Sequence, residues 1–241
     1  MKEIVEELRE VFFPPKGSPH GPVAPLLLLL TFATGLVDAF SYLVLGHVFV
    51  ANMTGNVLFL AFAIAGAHGL SAWASLVAIA TFVVGASVGG KIHVLMEQHR
   101  ARLLAVSSAL QAALLLVTFL LCLGHHATLE GGLRYGVIVV LAVAMGVQNA
   151  ASRRLAVPDL TTTVLTLTLT GIGADTKLVG GSGSRGTRRM LSVVTMFLGA
   201  LVGALFVLHV AIYYPLVIAL VVVATVGLLS RVLGMANPEW R

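Results

Sequence analysis

One aspartate stands out as a candidate for chemistry. Asp38 is the only formally charged residue between Lys16 and Lys91, and it lies near the middle of an apolar stretch at residues 24–46. An ionised carboxylate at the centre of a bilayer is costly, and such residues mostly carry protons or ions. We therefore predict that Asp38 is a proton carrier, or a sodium ligand together with backbone carbonyls and the Asn56 amide. The alternative is a protonated aspartate that links helices by hydrogen bonds.

A polar block follows at Asn52, Thr54, Gly55 and Asn56. The last three are residue types that begin a helix, and the apolar run at 57–67 comes directly after them. A helix of that length rises only about 16 Å, roughly half of the hydrocarbon thickness. Its free N–H groups and the positive end of its dipole would favour an anionic or carbonyl-bearing group of a substrate. The alternative is an ordinary helix cap at a tight bend.

Other polar residues within apolar stretches complete the predicted substrate or ion site. Tyr42 follows Asp38 by four residues and so shares its helical face. Gln111 is either a cavity group or an interhelical hydrogen-bonding group. The predicted site consists of Asp38, Tyr42, Asn52, Thr54, Gly55, Asn56, Gln111, Gln148, Asn149, Thr163, Thr166 and Thr168. The sequence has no evident nucleophile–base set or metal-ligand spacing, so we predict neither an enzyme nor a metal or cofactor site.

The composition indicates that membrane helices carry these residues. Of 241 residues, 58% are apolar and 10% are charged, against roughly 25% charged in a soluble domain. This nearly excludes a soluble enzyme and predicts membrane lipid as the surroundings. The single cysteine, Cys122, cannot form an internal disulfide. The balance of 15 Lys and Arg against 10 Asp and Glu is typical of membrane topology, and we do not expect nucleic-acid binding.

Eight apolar stretches are candidates to enter the membrane, at about residues 24–46, 48–67, 72–95, 101–124, 133–152, 159–174, 190–210 and 213–231. If all eight cross, the Lys and Arg residues divide ten to five between the two sides. If the second and sixth enter and return on one side, the division is fourteen to one, with only Arg134 outside. Since basic residues gather on the cytoplasmic side, we predict an all-α membrane protein with six transmembrane helices, two re-entrant half-helix segments and cytoplasmic termini.

The sequence contains an internal repeat. Three segments of the first half recur in order in the second half: 35–41 at 146–152, 54–56 at 166–168, and 81–89 at 195–203. The offsets are 111, 112 and 114 residues, and Asn149 is the counterpart of Asp38. Each half has three crossings, so the halves are predicted to be inverted repeats, as in many secondary transporters. The predicted units are residues 1–20, a cytoplasmic amphipathic segment; 21–124 and 125–233, the two repeats; and 234–241, a cytoplasmic tail.

Inverted repeats would bring the two re-entrant tips together from opposite faces, with 54–56 against Thr166 and Thr168. Two pairs of small residues at a spacing of four also allow helices to approach closely. These pairs are Gly85 with Gly89 and Gly199 with Gly203. They are predicted to pack the two repeats against each other, and the alternative is a homodimer seam.

Four motifs resemble those of a known family: Gly-Leu-Val-Asp-Ala at 35–39, Val-Ala-Asn-Met-Thr-Gly-Asn at 50–56, Gly-Val-Gln-Asn-Ala at 146–150 and Thr-Thr-Val-Leu-Thr at 162–166. They are similar to motifs of the YoaK family of small bacterial inner-membrane proteins, over roughly residues 24–230. The resemblance implies a transporter-like fold in the inner membrane, and it does not supply a substrate.

We therefore predict a secondary transporter of a small polar or anionic solute, coupled to H⁺ or Na⁺ through Asp38. One alternative is a passive channel on the same scaffold. The other is a membrane protein without transport activity, whose basic loops, including Arg100 and Arg102, recruit lipid or a partner.

Overall fold

The computed structural model describes residues 2–14, 22–96, 99–125, 128–158, 160, 162–163, 165–175 and 186–236, with only the backbone at 2–5 and 236. Within these ranges the regular secondary structure is entirely α-helical. The helices are α1 (Lys2–Phe12), α2 (Val23–Val44), α3 (Met53–Ile64), α4 (Ala72–Met96), α5 (Arg100–Cys122), α6 (Gly131–Leu155), α7 (Leu165–Ala174), α8 (Gly186–His209) and α9 (Tyr214–Ala236).

Six of these helices are long and apolar enough to cross a membrane: α2, α4, α5, α6, α8 and α9. They contain 22 to 25 residues, or roughly 33 to 38 Å, which exceeds the hydrocarbon thickness of about 30 Å. Large apolar side chains cover their outer surfaces, and Phe197 and Leu228 are both 63% exposed. Such a surface is stable only in lipid. The predicted all-α membrane protein with six long apolar helices is confirmed.

The two remaining apolar helices are short. α3 has 12 residues and α7 has 10, which gives lengths of about 18 and 15 Å. The predicted start of α3 was wrong by about one turn, because the helix begins at Met53 and ends at Ile64. The block at 54–56 therefore forms the first turn of α3 and does not precede it.

The helix contacts keep the same pattern when α2–α5 are exchanged with α6–α9. α2 packs on α8 as α6 packs on α4, and α2 packs on α9 as α6 packs on α5. The short helix α3 lies on α4, and α7 lies on α8 in the same way. α5 and α9 correspond to each other and pack against each other. The contact pattern therefore has an approximate two-fold symmetry.

Glycines make the closest of these contacts. A Cβ at Gly85 of α4 would lie 2.2 Å from the carbonyl oxygen of Val143 in α6. A Cβ at Gly199 of α8 would lie 2.2 Å from the carbonyl oxygen of Phe32 in α2. These two glycines are 114 residues apart and their partners are 111 residues apart. The offsets found in the sequence therefore relate residues that occupy equivalent contacts.

The second glycine of each pair is covered in the same way. A Cβ at Gly89 would lie 2.8 Å from Ala150 Cβ in α6, and one at Gly203 would lie 3.0 Å from Ala39 Cβ in α2. Both glycine faces are thus occupied by helices of the same chain, in agreement with packing of the two halves. A homodimer seam through these faces would have to displace α6 or α2, so the homodimer alternative has no free surface there.

The direction of the paired helices follows from the same close contacts. Residue numbers rise together in the α2–α8 and α4–α6 pairs, so these helices are parallel. In the α5–α9 pair, a Cβ at Gly227 would lie 3.3 Å from Ser108 Cβ, and one at Gly234 would lie 2.5 Å from Ala101 Cβ. Residue numbers fall in α5 as they rise in α9. α5 and α9 are therefore antiparallel.

The segment between α2 and α4 leaves the end of α2 and returns to it. Gly46 and His47 have positive φ angles of 79° and 57°, which turn the chain back beside α2. The segment reaches Asp38, six residues or about 9 Å from the end of α2, before α3 begins. Beyond α3, the carbonyl oxygen of Gly69 lies 3.3 Å from Nδ1 of His47. The two ends of the segment between α2 and α4 are thus adjacent.

The segment that contains α7 is fixed at its far end by the first turn of α8. The Arg189 guanidinium donates to the carbonyl oxygen of Gly171 at 2.7 Å, and it pairs with the Asp175 carboxylate at 2.7 Å. In the same turn of α8, the Thr187 N–H donates to Glu7 of α1 at 3.0 Å. α1 and the end of α7 therefore meet at the start of α8.

Candidate functional site

The carboxylate of Asp38 binds the backbone ahead of α3. Its Oδ1 accepts hydrogen bonds from the N–H of Val50 at 3.3 Å and from the N–H of Ala51 at 3.0 Å. Asp38 is only 6% exposed. Non-helical backbone at membrane depth must have its polar groups satisfied within the protein or by water. Asp38 provides the hydrogen-bond acceptor for two of these N–H groups, and it thereby links α2 to the segment that leads into α3.

Asn56 closes the same segment from the other side. Its Oδ1 accepts the N–H of Phe49 at 2.9 Å, and its Nδ2 donates to the carbonyl oxygen of Phe49 at 2.6 Å. The side chain is fully buried. Both polar atoms of the amide thus bind one backbone unit, and Asn56 does so from the first turn of α3. Asn56 fixes the loop that presents its backbone to Asp38.

Aromatic rings cover this loop. The ring of Tyr42 stacks on Phe49 with centroids 5.1 Å apart, and it meets the edge of His47 at 5.0 Å. Phe49 also stacks on Phe59 of α3 at 5.8 Å. Tyr42 and Asp38 therefore contact the same segment, as expected from their positions one turn apart. Tyr42 packs on the aromatic rings of this loop, and Asp38 binds the backbone of the loop.

The polar residues at the start of α3 differ in exposure. Asn52 and Thr54 are exposed, whereas Gly55 is partly buried, because a Cβ there would lie 2.8 Å from the ring of Phe49. The side chain of Asn52 makes no capping hydrogen bond to the helix. An exposed asparagine and an exposed threonine so close to Asp38 are suited to a wet surface and poorly suited to lipid.

Asn149 of α6, the counterpart of Asp38 in the second half, also binds the segment ahead of a short helix. Its Oδ1 accepts a hydrogen bond from the hydroxyl of Thr163 at 2.5 Å, and its Nδ2 donates to the carbonyl oxygen of Met145 at 2.9 Å. Thr163 lies ahead of α7, as Ala51 lies ahead of α3. The two halves differ in charge and in partner: a neutral amide that binds the Thr163 hydroxyl stands where the first half has a carboxylate that binds backbone N–H groups.

The predicted residues of α7 are Thr166, which is exposed, and Thr168, which is 4% exposed. They were expected to face the start of α3. The extensive helix contacts of the described chain join α3 to α4 and α7 to α8, and they include no α3–α7 pair. The meeting of the two tips therefore stays a prediction.

The two predicted glutamines form a buried hydrogen-bonded chain across three helices. Gln111 of α5 donates from Nε2 to Oε1 of Gln148 in α6 at 2.6 Å. Gln148 in turn donates from Nε2 to the hydroxyl of Thr34 in α2 at 2.8 Å. All three side chains are at most 1% exposed. Gln111 is thus an interhelical group, which was one of the two interpretations offered for it.

Sequence reasoning missed two parts of this arrangement. Thr34 lies one turn before Asp38, and this spacing was the signal that could have identified it. The N–H groups of Val50 and Ala51 carried no signal, because side-chain types do not identify which backbone groups a carboxylate will bind. Within the described ranges, no group of three His, Cys, Asp or Glu residues is arranged to hold a metal ion.

Comparisons with known proteins agree on one family. A family model described as "Protein of unknown function (DUF1275)" matches residues 26–229. The UPF0700 transmembrane protein YoaK of Bacillus subtilis (strain 168) is 33% identical over 154 residues, which cover 62% of this chain and 65% of that protein. The matched region is thus slightly less than two thirds of the relative's length. No solved structure matches.

Proposed function

The chain is a membrane protein of the DUF1275 (YoaK) family, and we propose that it is a secondary transporter of a small polar or anionic solute, coupled to H⁺ or Na⁺ through Asp38. We expect no catalytic activity, since the site residues hold backbone and solute and do not form a nucleophile–base set. The observation that carries the proposal is the attachment of Asp38 to the backbone ahead of α3.

The proposed architecture has six crossings, two re-entrant segments and two inverted repeats. If α3 and α7 also crossed, α5 and α9 would run in the same direction, whereas the antiparallel packing of Gly234 on Ala101 favours six crossings. The hydrogen-bond distance between His47 and Gly69 supports entry and exit of the first segment on one side. Three crossings per half then make the halves inverted, as in many secondary transporters.

The distribution of basic residues supports the orientation. In this topology, fourteen of the 15 Lys and Arg residues lie on one side, and Arg134 lies on the other. Since basic residues gather on the cytoplasmic side, we propose that both termini are cytoplasmic and that the protein lies in the bacterial inner membrane.

The proposed coupling acts through the two hydrogen bonds of Asp38. An ionised carboxylate is a stronger acceptor for the N–H groups of Val50 and Ala51 than a protonated one. A proton or a Na⁺ ion on Asp38 would therefore weaken its hold on the segment ahead of α3. A ligand can shift a conformational equilibrium only by binding two states differently. Here the two states would differ in the position of this segment relative to α2.

The proposed solute site lies at the start of α3. Asn52 and Thr54 are exposed there, and the first N–H groups of a helix together with its dipole attract anionic or carbonyl groups. Thr163 and Thr166 are the corresponding residues ahead of and within α7. A small solute is favoured because the aromatic rings of Tyr42 and Phe49 cover the adjoining loop.

Flux into proteoliposomes tests the proposal. A panel of labelled amino acids, carboxylates and inorganic anions is offered under an imposed pH or Na⁺ gradient to wild type, Asp38→Asn and Glu130→Gln. Glu130 is an exposed acid that makes no capping bond at the start of α6, so its variant controls for loss of one carboxylate. We expect gradient-driven accumulation in wild type and Glu130→Gln, and its loss in Asp38→Asn.

Each other outcome contradicts the proposal in a different way. Downhill flux that neither the gradient nor Asp38→Asn affects indicates a passive channel. No flux for any solute of the panel favours a membrane protein without transport activity. Equal loss of accumulation in Asp38→Asn and Glu130→Gln would remove the special role of Asp38.

A further inference from the structure

A cavity outside the proposed solute site opens between α4, α5 and α9. Its volume is about 500 Å³, which is in the range of small-molecule binding sites. It lies at the end of the α5–α9 pair where Gly234 packs on Ala101. Its lining consists of Met96, Ala101, Arg102, Ala105, Val106, Ser230, Arg231, Gly234 and Met235.

Of the lining residues that the structure describes, the charged ones are two arginines. Arg102 lies in the first turn of α5 and Arg231 in the last turns of α9, and both side chains are exposed. Among the described residues that line the cavity, none is a carboxylate. The hydroxyl of Ser230 is directed elsewhere, since it donates to the carbonyl oxygen of Val226 at 2.7 Å. The cavity therefore offers two guanidinium groups, which bind phosphate with two parallel hydrogen bonds each.

The rest of the cavity wall is apolar. Met96, Val106 and Met235 line it with flexible or branched hydrocarbon, and methionine adapts its shape to irregular apolar ligands. The cavity thus combines paired positive charge with a hydrocarbon wall at one end of membrane-spanning helices. A free inorganic anion would use the charge but not the wall, whereas a phospholipid would use both.

A second, smaller cavity of about 40 Å³ extends the positive charge. It shares Met96 with the first cavity, and Arg100, Arg154, His93 and His99 are among its lining residues. Arg100 also donates to the carbonyl oxygen of Leu155, which fixes the end of α6 beside α5. Basic groups from α4, α5, α6 and α9 therefore meet at one end of the bundle, where they attract anionic lipid.

We propose that the cavity between α4, α5 and α9 binds an anionic phospholipid, with its phosphate between Arg102 and Arg231 and its upper acyl carbons against Met96, Val106 and Met235. The bound lipid would hold the ends of α5 and α9 together. This site is independent of the proposed transport function, because neither its residues nor its ligand is shared with Asp38 or α3.

Lipid titration of the purified full-length protein tests this site. Dioleoyl phosphatidylglycerol, dioleoyl phosphatidylcholine and inorganic phosphate are each added in detergent, and binding is followed by native mass spectrometry and by the unfolding midpoint. The variants are Arg102→Gln with Arg231→Gln, and Arg153→Gln as control. Arg153 is an exposed arginine in the last turn of α6 that lines neither cavity, so its variant controls for the loss of one positive surface charge.

We expect phosphatidylglycerol to bind and stabilise wild type and Arg153→Gln, and the double variant to bind it at least about tenfold more weakly. Equal weakening in Arg153→Gln would overturn the proposal in favour of general surface charge. Equal binding of phosphatidylcholine would overturn the role of the arginines. Equal stabilisation by inorganic phosphate would indicate a site for a soluble anion.

A second variant keeps the test decisive if the double variant does not fold. Val106→Phe retains both arginines and fills the apolar side of the cavity. The proposed lipid must then bind more weakly, although the charge is unchanged. Unaltered affinity for phosphatidylglycerol in Val106→Phe would refute the proposed position of the lipid.

Discussion

Replacing Asp38 tests whether one carboxylate holds the segment ahead of α3. Asp38→Ala removes the acceptor for the N–H groups of Val50 and Ala51. A hydrogen bond to a charged group contributes about 1.5–3 kcal/mol net, so two such bonds at the lower limit give about 3 kcal/mol. Local opening of this segment would then be favoured by roughly two orders of magnitude.

Asp38→Asn separates the charge from the geometry. The asparagine keeps an oxygen at the position of Oδ1, and a neutral acceptor forms bonds about half as strong as a charged one. The expected loss is therefore about 1.5 kcal/mol, which corresponds to roughly tenfold more opening. Asp38→Asn and Asp38→Ala thus weaken and then remove the hydrogen-bond acceptor at the position of Oδ1.

Amide hydrogen exchange in lipid nanodiscs measures the effect, because opening of the segment is required for its protected N–H groups to exchange. Exchange at Val50 and Ala51 should accelerate about tenfold in Asp38→Asn and about 100-fold in Asp38→Ala. The Phe49 N–H, which Asn56 holds, is expected to change less. Peptides of α9 serve as an internal reference, since they lie outside the segment.

Exchange of Val50 and Ala51 at the wild-type rate in Asp38→Ala would show that Asp38 does not hold this segment. Equal acceleration of exchange in α9 would also refute this role, because Asp38 would then stabilise the whole bundle and not one segment. Asn149→Ala is the matched variant of the second half. It should accelerate exchange near Thr163, which it binds at 2.5 Å, and leave Val50 and Ala51 unchanged.

Three further predictions concern packing and topology. Gly199→Leu should destabilise the protein by about 3 kcal/mol and lower its thermal unfolding midpoint, because backbone of α2 occupies the space of its side chain, whereas Gly90→Leu, at a site with open space, should leave that midpoint almost unchanged. Gln148→Leu should cost about 2–3 kcal/mol by chemical denaturation, since it breaks two buried hydrogen bonds, and a cost below about 0.5 kcal/mol would contradict this account. In a Cys122→Ala background, His68→Cys should react with a membrane-impermeant maleimide from outside intact cells, and labelling only after lysis would contradict the six-crossing topology.

The sequence was sufficient for the six long helices, and it was sufficient to single out Asp38 as a candidate. Within hydrocarbon every backbone polar group must be bonded inside the chain, so long apolar runs have helix as their main solution. An acid without nearby charges stands out by composition alone. The offsets of 111 and 114 residues also proved physically meaningful, because Gly85 and Gly199 make equivalent close contacts with Val143 and Phe32.

The start of α3 and the use of the small-residue pairs were less accessible from the sequence. The block at 54–56 has the composition of a helix cap, but in the structure it lies inside the helix, where Asn56 binds the backbone of Phe49. The glycine spacing suits an intramolecular contact and a dimer seam equally well. The choice depends on which helices the chain can bring to those faces.

The sequence by itself determined which six long segments are apolar enough to cross a membrane and which polar residues they contain, because transfer free energy depends on residue type and on the length of the run. Tertiary structure alone decided what those polar residues bind. Asp38 binds backbone twelve and thirteen residues away, and Gln148 reaches Thr34 across 114 residues. Every residue but proline carries the same N–H group, so which of them meets a given side chain depends on the path of the chain in space.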